Sequence, residues 1–262
     1  MDDLLRRMEQ NFAEHASRLH RGTPGMTVRG GADVVVADSG LADDTFNVVA
    51  AARFTAAGAD GRISSLRSEL ASTGRPFCWW AGPAAEPPDL AARLVRSGLP
   101  AAGSETAMRA RLDDLPRTPP PAGLDIRAVT SPAELRALAA VVAANWTPPS
   151  ATVTSYYAAV AGRALAPDCP ARFLVGYLAR EPVCCAELLL HAGVAGLYNV
   201  CTLTAHRRRG YGRAITQAAL GIASQAGYRV AVLQASPQGR PLYADLGFLG
   251  CGTFTEHPMP PA

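Results

Sequence analysis

Apolar runs and helical periodicity alternate through the second half of the chain. Residues 172–179 and 183–191 are apolar runs of strand length on either side of Arg180-Glu181-Pro182, a spacing that predicts a β-hairpin. Residues 210–225 have helical periodicity and end at Gly227, which is typical of a helix C-terminus. The further predicted elements are strands at 124–129, 197–203, 228–234 and 248–255 and helices at 132–146, 152–165 and 239–246. The order βααβββαβαβ predicts an α/β fold with a mixed, mostly antiparallel sheet flanked by helices.

A proline-rich segment divides the sequence. Residues 116–123 (PRTPPPAG) contain prolines that fix an extended, semi-rigid path, so we interpret them as a linker. This division predicts an N-terminal domain at residues 1–115 and a C-terminal domain at residues 124–262. Ser131 and Glu134 form a capping box with Pro132 at the first helical position, which marks the start of a helix soon after the linker.

The first half of the chain repeats short patterns of the second half. The repeated pairs are Phe46-Asn47-Val48 with Tyr198-Asn199-Val200, Gly61-Arg62 with Gly212-Arg213, and Gly98-Leu99 with Gly247-Phe248. Each pair is separated by about 150 residues, and this shared spacing favours a duplicated, tandem fold. Chance similarity between two α/β segments is the open alternative.

Composition narrows the classes of function. A chain of 262 residues with 48% hydrophobic residues can bury the core of one large or two modest domains. The net charge of +3 is too small to argue for a nucleic-acid or membrane partner. The six cysteines lack CxxC or His-rich spacing, so we expect no metal site. No signal peptide or apolar run of membrane-spanning length is present in the sequence, which predicts a cytoplasmic protein.

The segment from Leu197 to Arg213 carries the clearest chemistry. A strand leads into an arginine- and glycine-rich loop that opens a helix. Helix starts bind phosphate because they expose unpaired backbone N–H groups and a partial positive charge, and Gly210 and Gly212 let a ligand approach the backbone. A P-loop requires a lysine, which this sequence lacks, and a dinucleotide fingerprint requires a third glycine. The run Arg207–Arg209 is too short to indicate nucleic-acid binding.

Two motifs resemble those of the GCN5-related N-acetyltransferases (GNAT family). The pyrophosphate motif [RQ]xxGx[GA] of that family is matched by Arg207-Arg208-Arg209-Gly210-Tyr211-Gly212. A second signature, LYxxLGF, is matched by residues 242–248 in the right order along the chain. The resemblance covers residues 124–255. It implies the acyl-CoA N-acyltransferase fold for the C-terminal domain and a degenerate copy in the N-terminal half.

The resemblance also implies a function and its residues. Acetyl-CoA would be the acyl donor, the acceptor a primary amine of a small molecule or peptide, and Tyr243 the acid that protonates the departing CoA thiolate. The implied donor-binding residues are Val200, Cys201, Thr202, Arg207, Arg208, Arg209, Gly210, Tyr211, Gly212, Arg213 and Ser236. Ser236 stands where many members have an asparagine, and its shorter side chain puts that contact in doubt. A second copy of the chain is an open possibility as a partner.

The general base is not identified by motif. Some family members place a glutamate on the fifth strand, where this sequence has Ala231, so Glu187 on the third strand is the best substitute, acting through water or serving only as a structural carboxylate. His191 and His206 are weaker candidates. A covalent intermediate on Cys201 is disfavoured, because burial in a strand is expected to raise rather than lower its pKa.

Rival interpretations remain at this stage. The same fold could take its acyl group from a carrier protein's phosphopantetheine, or could bind CoA without turnover. Within the N-terminal half, residues 56–61 replace the arginine-rich loop, and Asp60 would repel a pyrophosphate. We therefore expect no CoA binding by that half.

Overall fold

The computed structural model describes residues 2–116 and 118–261, so Arg117 of the predicted linker lies outside the described residues. The chain divides into two compact units: unit 1 comprises Met1–Ala107 with Cys251–Ala262, and unit 2 comprises Met108–Gly250. This division differs from the predicted one in two respects. The boundary between the units precedes the linker, and the last strand, which the prediction placed with residues 124–250, packs in unit 1.

Unit 1 is built on a mixed sheet with the strand order β1-β2-β3-β4-β11. Pairing is antiparallel except between β3 and β4, which run parallel. Its core is formed by apolar residues of the sheet and of α2 and α3, with Trp79 fully buried. The elements are α1 (Asp2–Arg18), β1 (Thr27–Arg29), β2 (Val35–Asp38), β3 (Val48–Ala50), α2 (Ala59–Ala71), β4 (Phe77–Ala81), α3 (Leu90–Arg96) and β5 (Gly103–Arg111), which crosses into unit 2.

Unit 2 is built on mixed strands in the order β10-β9-β8-β7-β6. Its pairs are antiparallel except β9 with β10, which are parallel. The elements are β6 (Leu124–Ala128), α4 (Pro132–Ala143), α5 (Ala151–Ala159), α6 (Ala161–Ala164), β7 (Ala171–Leu178), β8 (Glu181–His191), β9 (Val194–Thr202), α7 (Tyr211–Gln225), β10 (Val230–Ala235), α8 (Arg240–Asp245) and β11 (Leu249–Met259), which continues into unit 1. The predicted fold class, a mixed and mostly antiparallel sheet flanked by helices, is confirmed.

Two local predictions in unit 2 are corrected by the structure. The hairpin turn consists of Ala179 and Arg180 alone, both at positive φ, and Glu181 already pairs with Leu178 as part of β8. Positive φ at both central positions is the geometry of a two-residue type I′ hairpin, here without the usual Asn or Gly. The predicted helix at 152–165 is divided at Val160, which ends α5 and precedes α6.

The two halves of the sequence share one order of elements. In the first half β3, α2, β4, α3 and β5 follow one another, and in the second half β9, α7, β10, α8 and β11 do so. The strand pair that flanks the first of these helices is parallel in both halves. Gly98 and Gly247 end the equivalent helices α3 and α8 with φ of +88° and +90°. The repeated sequence patterns therefore correspond to repeated structure.

The described residues contain neither a membrane-spanning helix nor a metal-binding cluster. Among residues 2–116 and 118–261, no helix combines the length and apolar character needed to cross a bilayer. The same residues contain no cluster of three or more His, Cys, Asp or Glu side chains arranged to hold a metal ion.

Candidate functional site

Strands β9 and β10 separate at one end of the unit 2 sheet. Their parallel register joins Ala195–Leu197 to Ala231–Leu233 and ends there, although β9 continues to Thr202 and β10 to Ala235. Strands that part in this way leave backbone N–H and C=O groups in need of partners. We call the gap between residues 198–202 of β9 and residues 234–235 of β10 the wedge. It lies where the sequence places Val200, Cys201 and Thr202.

A β-bulge turns the end of β9. Cys185 pairs with Cys201 and Glu187 pairs with Tyr198, so β9 contains one more residue than β8 over this stretch. Asn199 lies in the extra segment and has a φ of +48°, a left-handed conformation that asparagine tolerates better than most residues. The bulge redirects the backbone of the three residues that follow.

Asn199 is held by a buried polar cluster. Its side-chain amide donates to the Glu187 Oε2 over 3.1 Å and to the Tyr157 hydroxyl over 3.0 Å. Tyr157 and Glu187 are both buried, with a 3.5 Å separation between the hydroxyl and the same carboxylate oxygen. Burial, followed by the negative charge of Glu187, holds the pKa of Tyr157 well above its usual range. Tyr157 therefore stays a neutral hydroxyl.

The end of β9 presents different side chains to the two faces of the sheet. Thr202 is opposite Cys184, whose side chain belongs to the core under α7, and a Cβ added at Gly212 of α7 would lie 3.6 Å from the Thr202 Oγ1. Cys201 faces the other side, where the Asn145 amide donates to its Sγ over 2.9 Å. Cys184 and Cys185 thus point to opposite faces, as expected for neighbours on a strand.

The expected direction of the Cys201 pKa was wrong. The adjacent Cys185 thiol, the Asn145 amide and the charge of Arg207 together lower the pKa of Cys201, even though burial acts in the opposite direction. Burial alone predicts a raised pKa, and nothing in the sequence places Asn145 beside the sulfur. The Cys201 side chain nonetheless points away from α7, so its position on the sheet separates it from the helix start.

The arginine-rich loop ends in a helix start with exposed donors. After a short 3-10 helix at Thr204–His206, Arg208 and Gly210 adopt φ of +62° and +83° before α7 begins at Tyr211. The first helical hydrogen bond joins the Ala214 N–H to the Gly210 carbonyl. The N–H groups of residues 211–213 precede it and lack intrahelical partners, and Gly210 supplies no capping side chain. This arrangement is suited to an anion.

The side chains around this helix start differ in exposure to solvent. Arg208 and Arg209 are exposed, whereas Tyr211 is buried beside His206, with 6.3 Å between ring centroids. Tyr211 can therefore reach an anion only through its backbone. The Arg207 Nε donates to the Thr202 carbonyl over 3.1 Å, which ties the loop to the end of β9. Arg213 contacts the Asp245 carboxylate of α8 at 3.3 Å.

Helix α8 positions Tyr243, and Ser236 holds the turn that leads into this helix. Tyr243 is 8% exposed and packs edge-on against Phe248 with a centroid distance of 5.9 Å. The Ser236 hydroxyl accepts a hydrogen bond from the Gly239 N–H over 3.2 Å. The Ser236 backbone carbonyl accepts one from the backbone N–H of Arg240. Ser236 thus has a structural role before α8. Its hydroxyl is engaged within the protein, so it is a poor candidate for the donor contact that an asparagine makes in many family members.

Comparison with known proteins identifies the domain that contains this site. Residues 170–249 match the model of the acetyltransferase (GNAT) domain, a range that includes β8, β9, α7, β10 and α8. The C-terminal half of the chain contains a GNAT acetyltransferase domain. The wedge, the arginine-rich loop and Tyr243 all lie inside the matched range. No curated protein matches the chain.

Solved structures resemble the chain over nearly its whole length. A GCN5-related N-acetyltransferase from Kribbella flavida has a TM-score of 0.71 at 21% identity, covering 95% of this chain and 96% of that one. A tandem GNAT protein from the clavulanic acid biosynthesis pathway has a TM-score of 0.62 at 15% identity, covering 98% and 93%. A GCN5-related N-acetyltransferase from Sphaerobacter thermophilus has a TM-score of 0.61 at 17% identity, covering 88% and 82%. Identities this low establish a shared fold.

Unit 2 brings together most of the residues chosen from sequence with three others that were not chosen as site residues. Asn199, Tyr157 and Asn145 lie in or beside the wedge, yet only Asn199 appeared in a sequence pattern, as part of the repeat. His191 pairs with Val194 at the far end of β8 and β9 from Thr202, so it lies away from the wedge.

Trp146 follows Asn145 in the connection between α4 and α5. Its side chain is 43% exposed, so it does not pack in the core.

Proposed function

We propose that the GNAT domain transfers an acetyl or other small acyl group from an acyl-CoA to a primary amine of a small molecule or peptide. One observation carries the proposal: a parted pair of strands and an arginine-rich helix start occur together at the end of β9. The first offers backbone partners to an extended pantetheine arm, and the second offers N–H groups and positive charge to a pyrophosphate.

The residues at the helix start fit such a donor. A Cβ added at Gly212 would make only ordinary contact with Leu242 at 3.4 Å, so packing does not require glycine here, whereas close approach of a ligand to the backbone would. The N–H groups of Tyr211, Gly212 and Arg213 would hold phosphate oxygens, and the exposed Arg208 and Arg209 would add charge-assisted bonds. A donor without a nucleotide would lack the pyrophosphate that these groups are placed to bind.

Acyl transfer would take place at the end of β9. Backbone groups of Val200, Cys201 and Thr202, redirected by the bulge, would bind the thioester arm and stabilise the negative charge that develops on the carbonyl oxygen. The amine attacks the carbonyl carbon directly, the C–S bond breaks, and the thiolate takes a proton from the Tyr243 hydroxyl. Proton transfer by a positioned side chain contributes about 10²–10⁴-fold to rate.

Glu187 is proposed as the proton acceptor for the amine, acting through water. Its 4% exposure and its bonds to Asn199 mean that the carboxylate does not meet an acceptor directly. Glu187→Gln preserves size and hydrogen bonding to Asn199, so it should remove the rise of kcat/KM with pH that a general base produces. An unchanged pH–rate profile would assign Glu187 a purely structural role.

Tyr243→Phe tests the assignment most directly. We expect unchanged CoA affinity by calorimetry and thiol release at least about 100-fold slower across a panel of amines supplied with acetyl-CoA. Tyr228→Phe, just beyond the C-terminal end of α7, is the matched control and should release thiol at the wild-type rate. Equal rates for wild type and Tyr243→Phe would remove the acid role.

The same measurements decide between rival functions. Calorimetric CoA binding that is much tighter than binding of phosphopantetheine alone argues against a carrier-protein donor. CoA binding without thiol release for any amine would instead indicate a binding module. Failure to bind CoA at all would contradict the proposed function.

A further inference from the structure

Two cysteines face each other beside the proposed donor site. Cys185 of β8 and Cys201 of β9 are register partners, and both are free thiols. Directly opposed residues in an antiparallel pair have Cα atoms about 4.5–5.5 Å apart and side chains on the same face. A disulfide needs Cα atoms about 4.4–6.8 Å apart. The backbone therefore already has the spacing that a disulfide requires.

The two sulfurs have different surroundings. Cys185 is fully buried, whereas Cys201 is partly exposed and its sulfur accepts from the amide of the exposed Asn145. Burial raises the pKa of Cys185 well above its usual range, while the pKa of Cys201 is lowered by the neighbouring thiol, Asn145 and Arg207. Because the thiolate is the nucleophile, Cys201 is the sulfur that reacts first with a reagent from solvent.

We propose that Cys201 and Cys185 form an oxidation site for peroxides, in which Cys201 is oxidised and Cys185 resolves it to a disulfide. The Cys201 thiolate attacks one oxygen of hydrogen peroxide, the O–O bond breaks, and hydroxide leaves to give a sulfenic acid. The Cys185 sulfur then attacks the Cys201 sulfur. The S–S bond forms as the S–O bond breaks, and the oxygen leaves as water with the thiol proton. The peroxide is reduced and the two thiols are oxidised.

The effect of this modification rests on the proposed function. Cys201 lies between Val200 and Thr202, the residues whose backbone would bind the thioester arm. Bridging Cys201 to Cys185 moves its sulfur away from Asn145 and fixes the end of β9 against β8. We expect the oxidised protein to bind CoA at least about tenfold more weakly and to recover when dithiothreitol reduces the bond.

Peptide mapping detects the bond independently of activity. Trypsin leaves Cys184, Cys185 and Cys201 in a single peptide, residues 181–207, because the segment contains no arginine before Arg207. A glutamyl endopeptidase that cuts after Glu187 separates Cys201 from the other two. After peroxide treatment and alkylation, the two fragments should remain joined, two hydrogens lighter than their sum, until reduction. Separate fragments with all three cysteines alkylated would overturn the proposal.

Neighbouring variants identify the partners. Cys184→Ser, which alters the adjacent cysteine on the opposite face, should form the bond as wild type does. Cys185→Ser should stop at a Cys201 sulfenic acid that dimedone traps, and Cys201→Ser should show neither product. A bond that persists in Cys185→Ser would show that Cys185 is not the resolving thiol and would contradict the assignment.

CoA calorimetry before and after oxidation separates the two proposals. Reduced protein that fails to bind CoA contradicts the proposed function while leaving the mapped disulfide intact. Reduced protein that binds CoA, with the bond mapped and affinity unchanged by it, contradicts the predicted effect of oxidation. Cys185→Ser should also keep more CoA affinity after brief peroxide exposure than wild type, because no bond fixes the strand end.

Discussion

Replacing Asn199 by alanine tests whether the buried cluster builds the end of β9. The substitution removes a hydrogen bond of 3.1 Å to the Glu187 carboxylate and one of 3.0 Å to the Tyr157 hydroxyl. A bond to a charged group is worth about 1.5–3 kcal/mol and a neutral one about 0.5–1.5 kcal/mol. Alanine at the φ of +48° adds strain of about 1 kcal/mol. Together these effects should lower the free energy of unfolding by about 3–5 kcal/mol.

Asn47 provides a matched control from the other half of the chain. It occupies the repeated position, is fully buried, and bonds to the backbone or hydroxyl groups of Ser39, Leu41 and Pro76. Asn47→Ala should therefore destabilise the protein to a similar extent, but through neutral partners. Only Asn199→Ala should alter the bulge at the proposed donor site.

Urea denaturation and CoA calorimetry measure the two effects separately. We expect both variants to lose stability, and Asn199→Ala alone to lose CoA affinity by at least about tenfold. A destabilisation below about 1 kcal/mol for Asn199→Ala would show that the cluster does not hold the strand. Equal losses of CoA affinity in the two variants would show that the effect on binding is a general consequence of instability.

Two further predictions concern backbone strain and the half-buried Glu105. Gly210→Ala forces a side chain into a φ of +83° and should lower the free energy of unfolding by about 1–2 kcal/mol and weaken CoA binding, whereas Gly212→Ala makes only ordinary contacts and should keep the fold, as thermal denaturation will show. Burial, and then the charge of Glu256, raise the pKa of Glu105 from 4.5 to about 7. The folded state holds this proton more tightly, so the contribution of Glu105 to stability should be full below pH 4.5 and fall by about 3 kcal/mol as pH rises through 7. Glu105→Gln should flatten this dependence in urea titrations, and a slope equal to that of wild type would refute it.

The elements of unit 2 were largely predictable because their signals are local. The capping box of α4 forms as expected, with the Glu134 carboxylate bonded to the Ser131 N–H and the Ser131 hydroxyl bonded to the Glu134 N–H. Gly210 likewise has the positive φ that its motif requires. The missed features depend on residues distant in sequence. Tyr157 meets Glu187 only after α5 packs on the sheet, and no periodicity reports that contact.

The assignment of the last strand failed for a related reason. A pattern of apolar residues shows that residues near 249–259 form a strand, but not which neighbour it pairs with. In the structure β11 pairs antiparallel with β4, joining Met259 to Phe77 and Thr255 to Ala81. Strand pairing depends on the whole sheet. The final strand of each half therefore lies partly in the unit formed by the other half.

The contrast between the two parallel strand pairs explains why only one half should bind a donor. In unit 1, beyond β3 and β4, the Glu86 N–H donates to the Ala52 carbonyl over 3.1 Å and the Phe54 N–H donates to the Glu86 carbonyl over 2.9 Å. The Glu9 carboxylate, 2% exposed, pairs there with Arg53 at 2.7 Å. The backbone groups that a pantetheine arm would need are thus already bonded within the protein, beside a buried ion pair. The register of β9 and β10 instead ends at Leu197 and Leu233, while both strands continue. A duplicated fold can lose one donor site by bonding its own strand ends together, with no change in the order of its elements.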